Sequence, residues 1–104
     1  MSEAGSCRFR RVEITDGVSG GTVICNLALS VWFATESRIT RDAVAVRLNG
    51  ADLAIDYVGQ SQINAVLPRR LEPGRYQIEL LYDGEVGWAG PITIGHSPFA
   101  IARP

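Results

Sequence analysis

Residues 71–76 read Leu-Glu-Pro-Gly-Arg-Tyr, and this short stretch says more about the fold than any other part of the chain. Pro73 and Gly74 predict a turn, because proline presets φ at about −65° for one central position and glycine accepts the positive φ that the next often requires. From Tyr76 to Tyr82, apolar and polar side chains alternate, which is typical of a half-buried strand. The stretch therefore predicts a tight corner that leads into a β-strand.

A tyrosine directly after such a corner has a specific role in Ig-like sandwiches. Its hydroxyl bonds back to the loop backbone and fixes a crossover between the two sheets. We therefore expect the hydroxyl of Tyr76 to bond to the backbone of the loop before it.

The same alternation continues on both sides of this corner. It predicts strands over 9–15, 22–34, 43–48, 53–58, 62–67 and 86–94. Asn49-Gly50 and Asp83-Gly84 predict two-residue hairpin turns, because both central positions of a type I′ turn need positive φ. The first of these turns predicts that residues 53–58 pair back on 43–48, and the second joins the strand of Tyr76 to residues 86–94.

Residues 22–34 give the strongest strand signal and are expected to form one unbroken strand. Its odd-numbered side chains, including Cys25 and Phe33, are predicted to face the core. The chain as a whole predicts an all-β, Ig-like antiparallel β-sandwich of about seven strands. The predicted core is Val23, Leu27, Leu29, Val31, Val44, Val46, Ile63, Ile78, Leu80 and Ile92.

Length and composition favour one soluble domain. The chain has 104 residues, of which 46% are hydrophobic and 20% charged. We expect a flexible leader at 1–7 and a single domain at 8–104. The sequence contains no run of about 18 apolar residues, so we predict no transmembrane helix. The start of the sequence lacks the apolar core of a signal peptide. A cytosolic protein and a segment of a longer secreted chain both remain open.

The balance of charge argues against a polyanionic partner. Ten arginines, with no lysine, stand against eleven acidic residues, which gives a net charge of −1. Arginines cluster at Arg8, Arg10 and Arg11 and again at Arg69 and Arg70. Acidic residues at 13, 72 and 79 neutralise both neighbourhoods. We therefore do not expect nucleic acid or a membrane surface as a partner.

Residues 43–94 resemble an IPT/TIG-type, Ig-like early-set domain. The shared marks are a strand that ends in Asn-Gly, a Gln-Ile strand closed by Pro68, a Pro-Gly turn, and a strand that leads to Asp-Gly. Residues 56–68 and the ending 98–101 are similar to a bacterial C-terminal domain family that has no assigned activity. The resemblance implies a module of a large secreted or surface protein, and hence an extracellular location.

The polar residues do not form a recognised catalytic or metal-binding pattern. His96 is the only histidine, and a site with Ser97 or Ser61 and Asp56 lacks a nucleophile-elbow motif. Acidic residues at 52, 56, 83 and 85 lack the close spacing of a calcium loop. We therefore predict no catalytic residue, no metal site and no cofactor, and a protein that is not an enzyme.

Two further features concern the surface and the cysteines. Trp32 and Ile24 fall on the face opposite the predicted core positions, where they could form a docking patch for a protein or a sugar ring. The alternative is that a loop or terminal strand covers them. Cys7 and Cys25 lie on the first two predicted strands, and either a disulfide or a buried free Cys25 fits the sequence.

These observations predict a non-catalytic Ig-like structural or binding module of a larger bacterial protein that acts by protein recognition. The alternative is a carbohydrate-binding accessory domain of an attached hydrolase. Exposed aromatic side chains and sheet edges are the features through which a small sandwich of either kind gains a partner.

Overall fold

The structure is a computed structural model that describes residues 9–36, 38–69 and 71–95. In this part of the chain, nine β-strands form two sheets around a shared core, and one short 3₁₀ helix lies between two of the strands. In chain order, the elements are β1 (Arg10–Asp16), β2 (Val23–Ile24), β3 (Ala28–Ala34), a 3₁₀ helix (Arg41–Ala43), β4 (Val44–Leu48), β5 (Ala51–Asp52), β6 (Ala54–Val58), β7 (Gln62–Val66), β8 (Gly74–Tyr82) and β9 (Glu85–Ile94). No helix within these ranges has the length and apolar composition needed to cross a bilayer.

The two sheets have the strand order of an Ig-like sandwich. One has four strands in the order β1-β3-β7-β6, and the other has five in the order β2-β9-β8-β4-β5. Neighbouring strands are antiparallel except β2, which runs parallel to β9. The prediction of an all-β, Ig-like sandwich is confirmed. The described strands number nine rather than about seven, because β2 and β5 are extra strands of two residues each.

Apolar side chains from both sheets fill the space between them. Val31, Ile63 and Leu80 come from three different strands, and none of them has any exposed surface. Burying one such side chain contributes roughly 1.5–3 kcal/mol relative to leaving it in water. The predicted core residues that prove buried are Leu29, Val31, Val44, Val46, Ile63, Ile78, Leu80 and Ile92.

The prediction of one unbroken strand over residues 22–34 is wrong, because the chain changes sheets at residues 25–27. β2 belongs to the five-stranded sheet and β3 to the four-stranded sheet. The crossing resets which side chains face the core, so that Ile24 is 1% exposed and Val23 is 44% exposed. Leu27, also predicted inside, is only half-buried. The expectation that Ile24 lies on the outer surface beside Trp32 is therefore wrong.

Asp16, the last residue of β1, holds this crossing in place. Its Oδ2 accepts the backbone N–H groups of Cys25 and Asn26 at 2.6 and 2.7 Å. Its Oδ1 accepts those of Val18 and Ser19 at 2.8 and 3.0 Å. Burial alone would raise the pKa of Asp16, but hydrogen bonds from Ser19, Val18 and Asn26 outweigh it and hold the pKa well below its ordinary value. The carboxylate therefore stays charged in the folded protein and ties the loop to β1.

Both predicted hairpin turns have the expected backbone. φ is 49° at Asn49 and 88° at Gly50, and it is 53° at Asp83 and 82° at Gly84. Positive φ at both central residues defines a type I′ turn. The turn at Asp83 joins β8 to β9, as predicted.

The strand after Asn49 differs from the prediction. Only β5 pairs back on β4, and β6 pairs with β7 in the opposite sheet. Leu53 marks the change, since its N–H donates to the carbonyl of Val46 at 2.8 Å while its side chain is buried. The prediction that residues 53–58 pair on 43–48 is therefore wrong. The crossing gives the four-stranded sheet its edge strand, β6.

Tyr76 is the corner residue that the sequence predicts. Its hydroxyl donates to the carbonyl oxygen of Glu72 at 2.7 Å. Gly74, between them, has φ of 149°, which side-chain-bearing residues rarely adopt. The bond closes the connection that leads from β7 in one sheet to β8 in the other.

Candidate binding face

The outer surface of the four-stranded sheet carries two exposed rings among amide and hydroxyl side chains. Trp32 of β3 lies opposite Gln62 of β7, and Tyr57 of β6 lies opposite Asn64 of β7. Residues two apart on a strand share a face, so Gln62 and Asn64 place both rings on one side. Thr15 of β1 joins them from the far side of β3. We call the surface formed by Thr15, Trp32, Tyr57, Gln62 and Asn64 the Trp32 face.

A hydrogen bond holds Trp32 along this face. The side chain is 42% exposed, and its Nε1 donates to Oγ1 of Thr15 at 3.0 Å. Because Thr15 belongs to the neighbouring strand, an indole that reaches it must lie along the sheet rather than project from it. The exposed part of the indole ring is therefore available to a ligand.

Tyr57 lies in space that a glycine leaves open. Its side chain is 49% exposed, and the ring lies over Gly59, two residues along the chain. A Cβ atom at Gly59 would come within 2.7 Å of the Tyr57 hydroxyl and 3.1 Å of two ring carbons, inside the usual contact distance. The N–H of Gly59 donates to the carbonyl of Gln62 at 2.7 Å, which ties this glycine to β7. Only glycine at position 59 allows the ring to occupy this place.

Two amide side chains lie between the rings. β7 separates β3 from β6, and Nε2 of Gln62 donates to Oδ1 of Asn64 at 2.9 Å. Neighbouring strands lie about 4.8 Å apart, so the strands that carry the rings are about 10 Å apart. The Trp32 face thus combines two ring surfaces, two linked amides and a hydroxyl.

Charged side chains lie at the β1 margin of the Trp32 face. Glu13 is opposite Trp32 in the β1–β3 ladder. Arg10 forms an ion pair with Glu36 at 3.2 Å, in which the side chains are 50% and 84% exposed. Arg11 is exposed and has φ of 56° at a register shift between Arg10 and Glu13. The centre of the face is uncharged, whereas its margin carries both signs.

A groove of about 410 Å³ lies between β1 and β9. Its apolar walls come from Val12 and Ile14 on one side and from Trp88 and Ile92 on the other. Arg75 of β8 also lines it. The groove is a concave feature of the described surface and is separate from the Trp32 face.

The open edge of β9 beside this groove is poorly suited to pairing with another strand. The N–H of Gly95 donates to the carbonyl of Ile24 at 2.8 Å, so odd-numbered residues here direct their amides toward β2. Pro91 occupies such an odd position and has no N–H to offer. Proline at an edge position blocks strand addition.

The remaining sequence-predicted residues lie elsewhere. Cys7 and His96 fall outside the described residues, so the disulfide with Cys25 stays a prediction. Cys25 itself is half-buried at the crossing between β2 and β3. Asp52 forms an ion pair with Arg47 at 3.0 Å. Within the described ranges, no three histidine, cysteine, aspartate or glutamate side chains form a group that could hold a metal ion.

Sequence reasoning found Trp32 but missed Tyr57, Gln62 and Asn64. Alternation in residues 62–66 does place Gln62 and Asn64 on an outer surface. Tyr57 joins them only because β6 crosses to the four-stranded sheet, which the Asn49-Gly50 turn did not suggest. Gly59, two residues after Tyr57, is the one local signal that a ring lies along its own strand.

No protein-family model matches the sequence, and no curated protein matches it. Among solved structures, the fold is similar to that of a protein from Bacteroides vulgatus named "Putative bacterial DNA binding protein". The TM-score is 0.53 at 19% sequence identity. The match covers 82% of this chain and 46% of the other, so this chain spans about half of that protein.

This match contradicts the expectation that nucleic acid is not a partner. That expectation rested on the net charge of the chain and on acidic residues close in sequence to the arginine clusters. Nucleic-acid binding depends on how arginines are distributed over one surface rather than on net charge alone. The expectation is therefore corrected.

Proposed function

We propose that this protein is a non-catalytic Ig-like recognition module that binds its partner through the Trp32 face. The observation that carries the proposal is that two exposed rings lie on one face, and that the sheet beside each of them accommodates it. Thr15 holds Trp32 by a hydrogen bond, and Gly59 makes room for Tyr57. Rings ordered before binding cost less conformational entropy when a ligand arrives.

Among the described residues, Asp16 is the carboxyl group with a clearly shifted pKa, and its contacts are structural. Asp16 is 1% exposed, and its two oxygens accept five hydrogen bonds from the loop that follows. A group that is committed in this way has no oxygen free for a substrate. The lowered pKa of Asp16 thus reflects a structural role at the crossing between the sheets.

Backbone amide shifts in NMR spectra test the proposal even while the partner is unidentified. The labelled domain is titrated with three probe sets: soluble glycans, single- and double-stranded DNA, and a mixture of peptides. Probes that bind should shift the amide signals of β3, β6 and β7 and leave the signals of β4 and β8 unchanged. Because the module is non-catalytic, no probe should be chemically altered. Shifts confined to the five-stranded sheet or to the groove would contradict the proposal.

DNA binding is a second candidate, favoured by the Bacteroides protein of similar fold. Arg10 and Arg11 at the β1 margin supply cations on the Trp32 side of the face, since β1 pairs with β3. Bases stack on aromatic side chains while arginines contact phosphates. A single strand that crosses from Arg11 to Trp32 would use both groups.

Fluorescence anisotropy with labelled oligonucleotides at several salt concentrations tests this candidate. If the two arginines contact phosphates, the combined Arg10→Ala and Arg11→Ala variant should lower the salt slope by about 2. Replacing Arg75, on the other sheet, should leave the slope unchanged. A slope that responds equally to both replacements would place the contact elsewhere.

A further inference from the structure

We infer that the ligand of the Trp32 face is a neutral polysaccharide, laid across the sheet from β3 to β6. This inference rests on the proposed function, since it names the chemical class that the same face would take. It follows from the orientation of the two rings, from the polar groups between them and from the charge at the centre of the face.

The rings offer the surface that a sugar ring needs. Trp32 lies along the sheet because its N–H reaches Thr15, and Tyr57 lies over Gly59. Each therefore lies against the sheet and keeps part of its ring surface exposed. An aromatic face carries partial negative charge, and the C–H groups of a pyranose ring carry partial positive charge. Stacking between the two requires such exposed ring surface.

The side chains between the rings match the hydroxyl groups of a sugar. Gln62 and Asn64 are linked by one hydrogen bond, which uses one N–H of Gln62 and one lone pair of Asn64. The Gln62 oxygen and both N–H groups of Asn64 keep their capacity, since the described residues engage them in no other hydrogen bond. An amide offers donors and an acceptor together, as a hydroxyl does. Thr15 adds a further O–H donor, since its oxygen already accepts from Trp32.

The electrostatics of the face match an uncharged ligand. Its five defining side chains are neutral, so a neutral chain desolvates no ion among them. The charged Glu13, opposite Trp32 in the ladder, lies on the side away from β6. The two rings stand on strands about 10 Å apart with one strand between them. One pyranose cannot touch both, so the ligand is an extended chain of at least two sugars rather than a monosaccharide.

Affinity electrophoresis in native gels that contain soluble polysaccharide tests the inference. Mixed-linkage β-glucan, xylan and galactomannan are the neutral probes, and polygalacturonate is the acidic one. At least one neutral probe should retard the wild-type domain. Trp32→Ala and Tyr57→Ala should each weaken binding by about tenfold or more. Gly59→Ala, which displaces a ring without removing one, should weaken binding less.

Gln77→Ala is the matched control, because Gln77 is exposed on the outer surface of the five-stranded sheet. It should leave the retardation unchanged. The inference is overturned if no neutral probe retards the wild type, if only polygalacturonate does so, or if the ring variants behave like Gln77→Ala.

The outcomes also separate this inference from the proposed function. If peptides or DNA shift amides on the Trp32 face but no neutral polysaccharide retards the protein, the polysaccharide inference is rejected and the Trp32 face remains the proposed binding surface. If no probe shifts amides on the Trp32 face, both the proposed function and the polysaccharide inference are rejected.

Discussion

The two outer faces of the sandwich are both surfaces of a β-sheet, but their exposed side chains differ in chemistry. On the five-stranded sheet, Arg47 of β4 lies opposite Glu79 of β8 and forms an ion pair with Asp52 at 3.0 Å. Exposed pairs of this kind contribute roughly 0–1 kcal/mol and remain solvated. On the four-stranded sheet, the exposed aromatic side chains are Trp32 and Tyr57, and Trp32 is bonded to Thr15.

This difference shows that exposure alone does not identify a binding surface. A charged side chain in water loses little by being exposed, whereas an exposed ring leaves apolar area in contact with water. Holding that ring in place adds order without adding burial, which does not by itself stabilise the fold. Both features become favourable when a partner covers the ring. An exposed ring that is bonded in place, as Trp32 is by Thr15, rather than exposure in general, distinguishes the Trp32 face.

The largest expected effect comes from breaking the crossing that assigns strands to the two faces. In Asp16→Asn, an amide N–H₂ replaces one oxygen and meets backbone N–H donors of the 18–26 loop instead of accepting from them. Hydrogen bonds to a charged group contribute about 1.5–3 kcal/mol each, so we expect a loss of about 3 kcal/mol or more in unfolding free energy. Urea denaturation measures it. Asp52→Asn, in an exposed ion pair, is the control and should change stability by less than about 1 kcal/mol.

The same carboxylate predicts how stability depends on pH. Hydrogen bonds hold the pKa of Asp16 below its ordinary value, so its contribution is fully present above about pH 4. It is lost as the pH falls from there toward the pKa of the folded state. The stability gap between wild type and Asp16→Asn should therefore narrow below pH 4. A gap that stays constant from pH 7 to pH 3 would show that the charge of Asp16 does not hold the loop.

Local sequence signals predicted the parts of the fold that local chemistry determines. Asn49-Gly50 and Asp83-Gly84 form their turns because of their own φ preferences. Tyr76 forms its corner because the acceptor, Glu72, is only four residues away. In each case the partners are close in sequence, so the outcome does not depend on distant strands.

The errors all lie where the chain passes from one sheet to the other. The alternation of residues 22–34 continues through the crossing at 25–27, so nothing in the pattern shows that the core side changes there. The second crossing, at Leu53 between β5 and β6, is likewise not visible in the sequence pattern. The Trp32 face depends on both crossings, because one sets the outer side of β3 and the other brings β6 beside β7. Sequence alone therefore predicts Trp32 without its neighbours.

Two glycine substitutions sharpen the contrast between a buried ring and an exposed one. A Cβ at Gly90 would lie 2.6 Å from Cη2 of Trp88, which is half-buried against the core. Gly90→Ala should therefore cost about 2 kcal/mol through overpacking. In Gly59→Ala, the added Cβ contacts Tyr57 in the same manner. Because the exposed Tyr57 ring can move into water, the unfolding free energy should change by less than about 0.5 kcal/mol. Thermal unfolding compares the two, and equal losses would show that Tyr57 is as confined as Trp88.

The corner tyrosine supports both sheets equally and tests a feature common to the two faces. Tyr76→Phe removes the hydrogen bond to Glu72 and keeps the ring. We expect a loss of about 1 kcal/mol, because that is the net contribution of a typical hydrogen bond. Amide shifts on the outer faces should stay unchanged. An unaltered denaturation midpoint would show that the corner does not depend on this hydroxyl.

The smallest expected effect on stability bears most directly on the comparison of the faces. Thr15→Val keeps the shape of the side chain and removes the oxygen that accepts from Trp32. The bond is exposed, so stability should fall by only about 0.5 kcal/mol. The indole, once released, should become more accessible to acrylamide, measured by fluorescence quenching in a Trp88→Phe background so that Trp32 is the only emitter. Thr93→Val in the same background, on the exposed side of β9, is the control and should not alter quenching. If Thr15→Val also leaves quenching unchanged, the indole is not held by this bond, and the distinction between fixed and merely exposed side chains no longer separates the two faces.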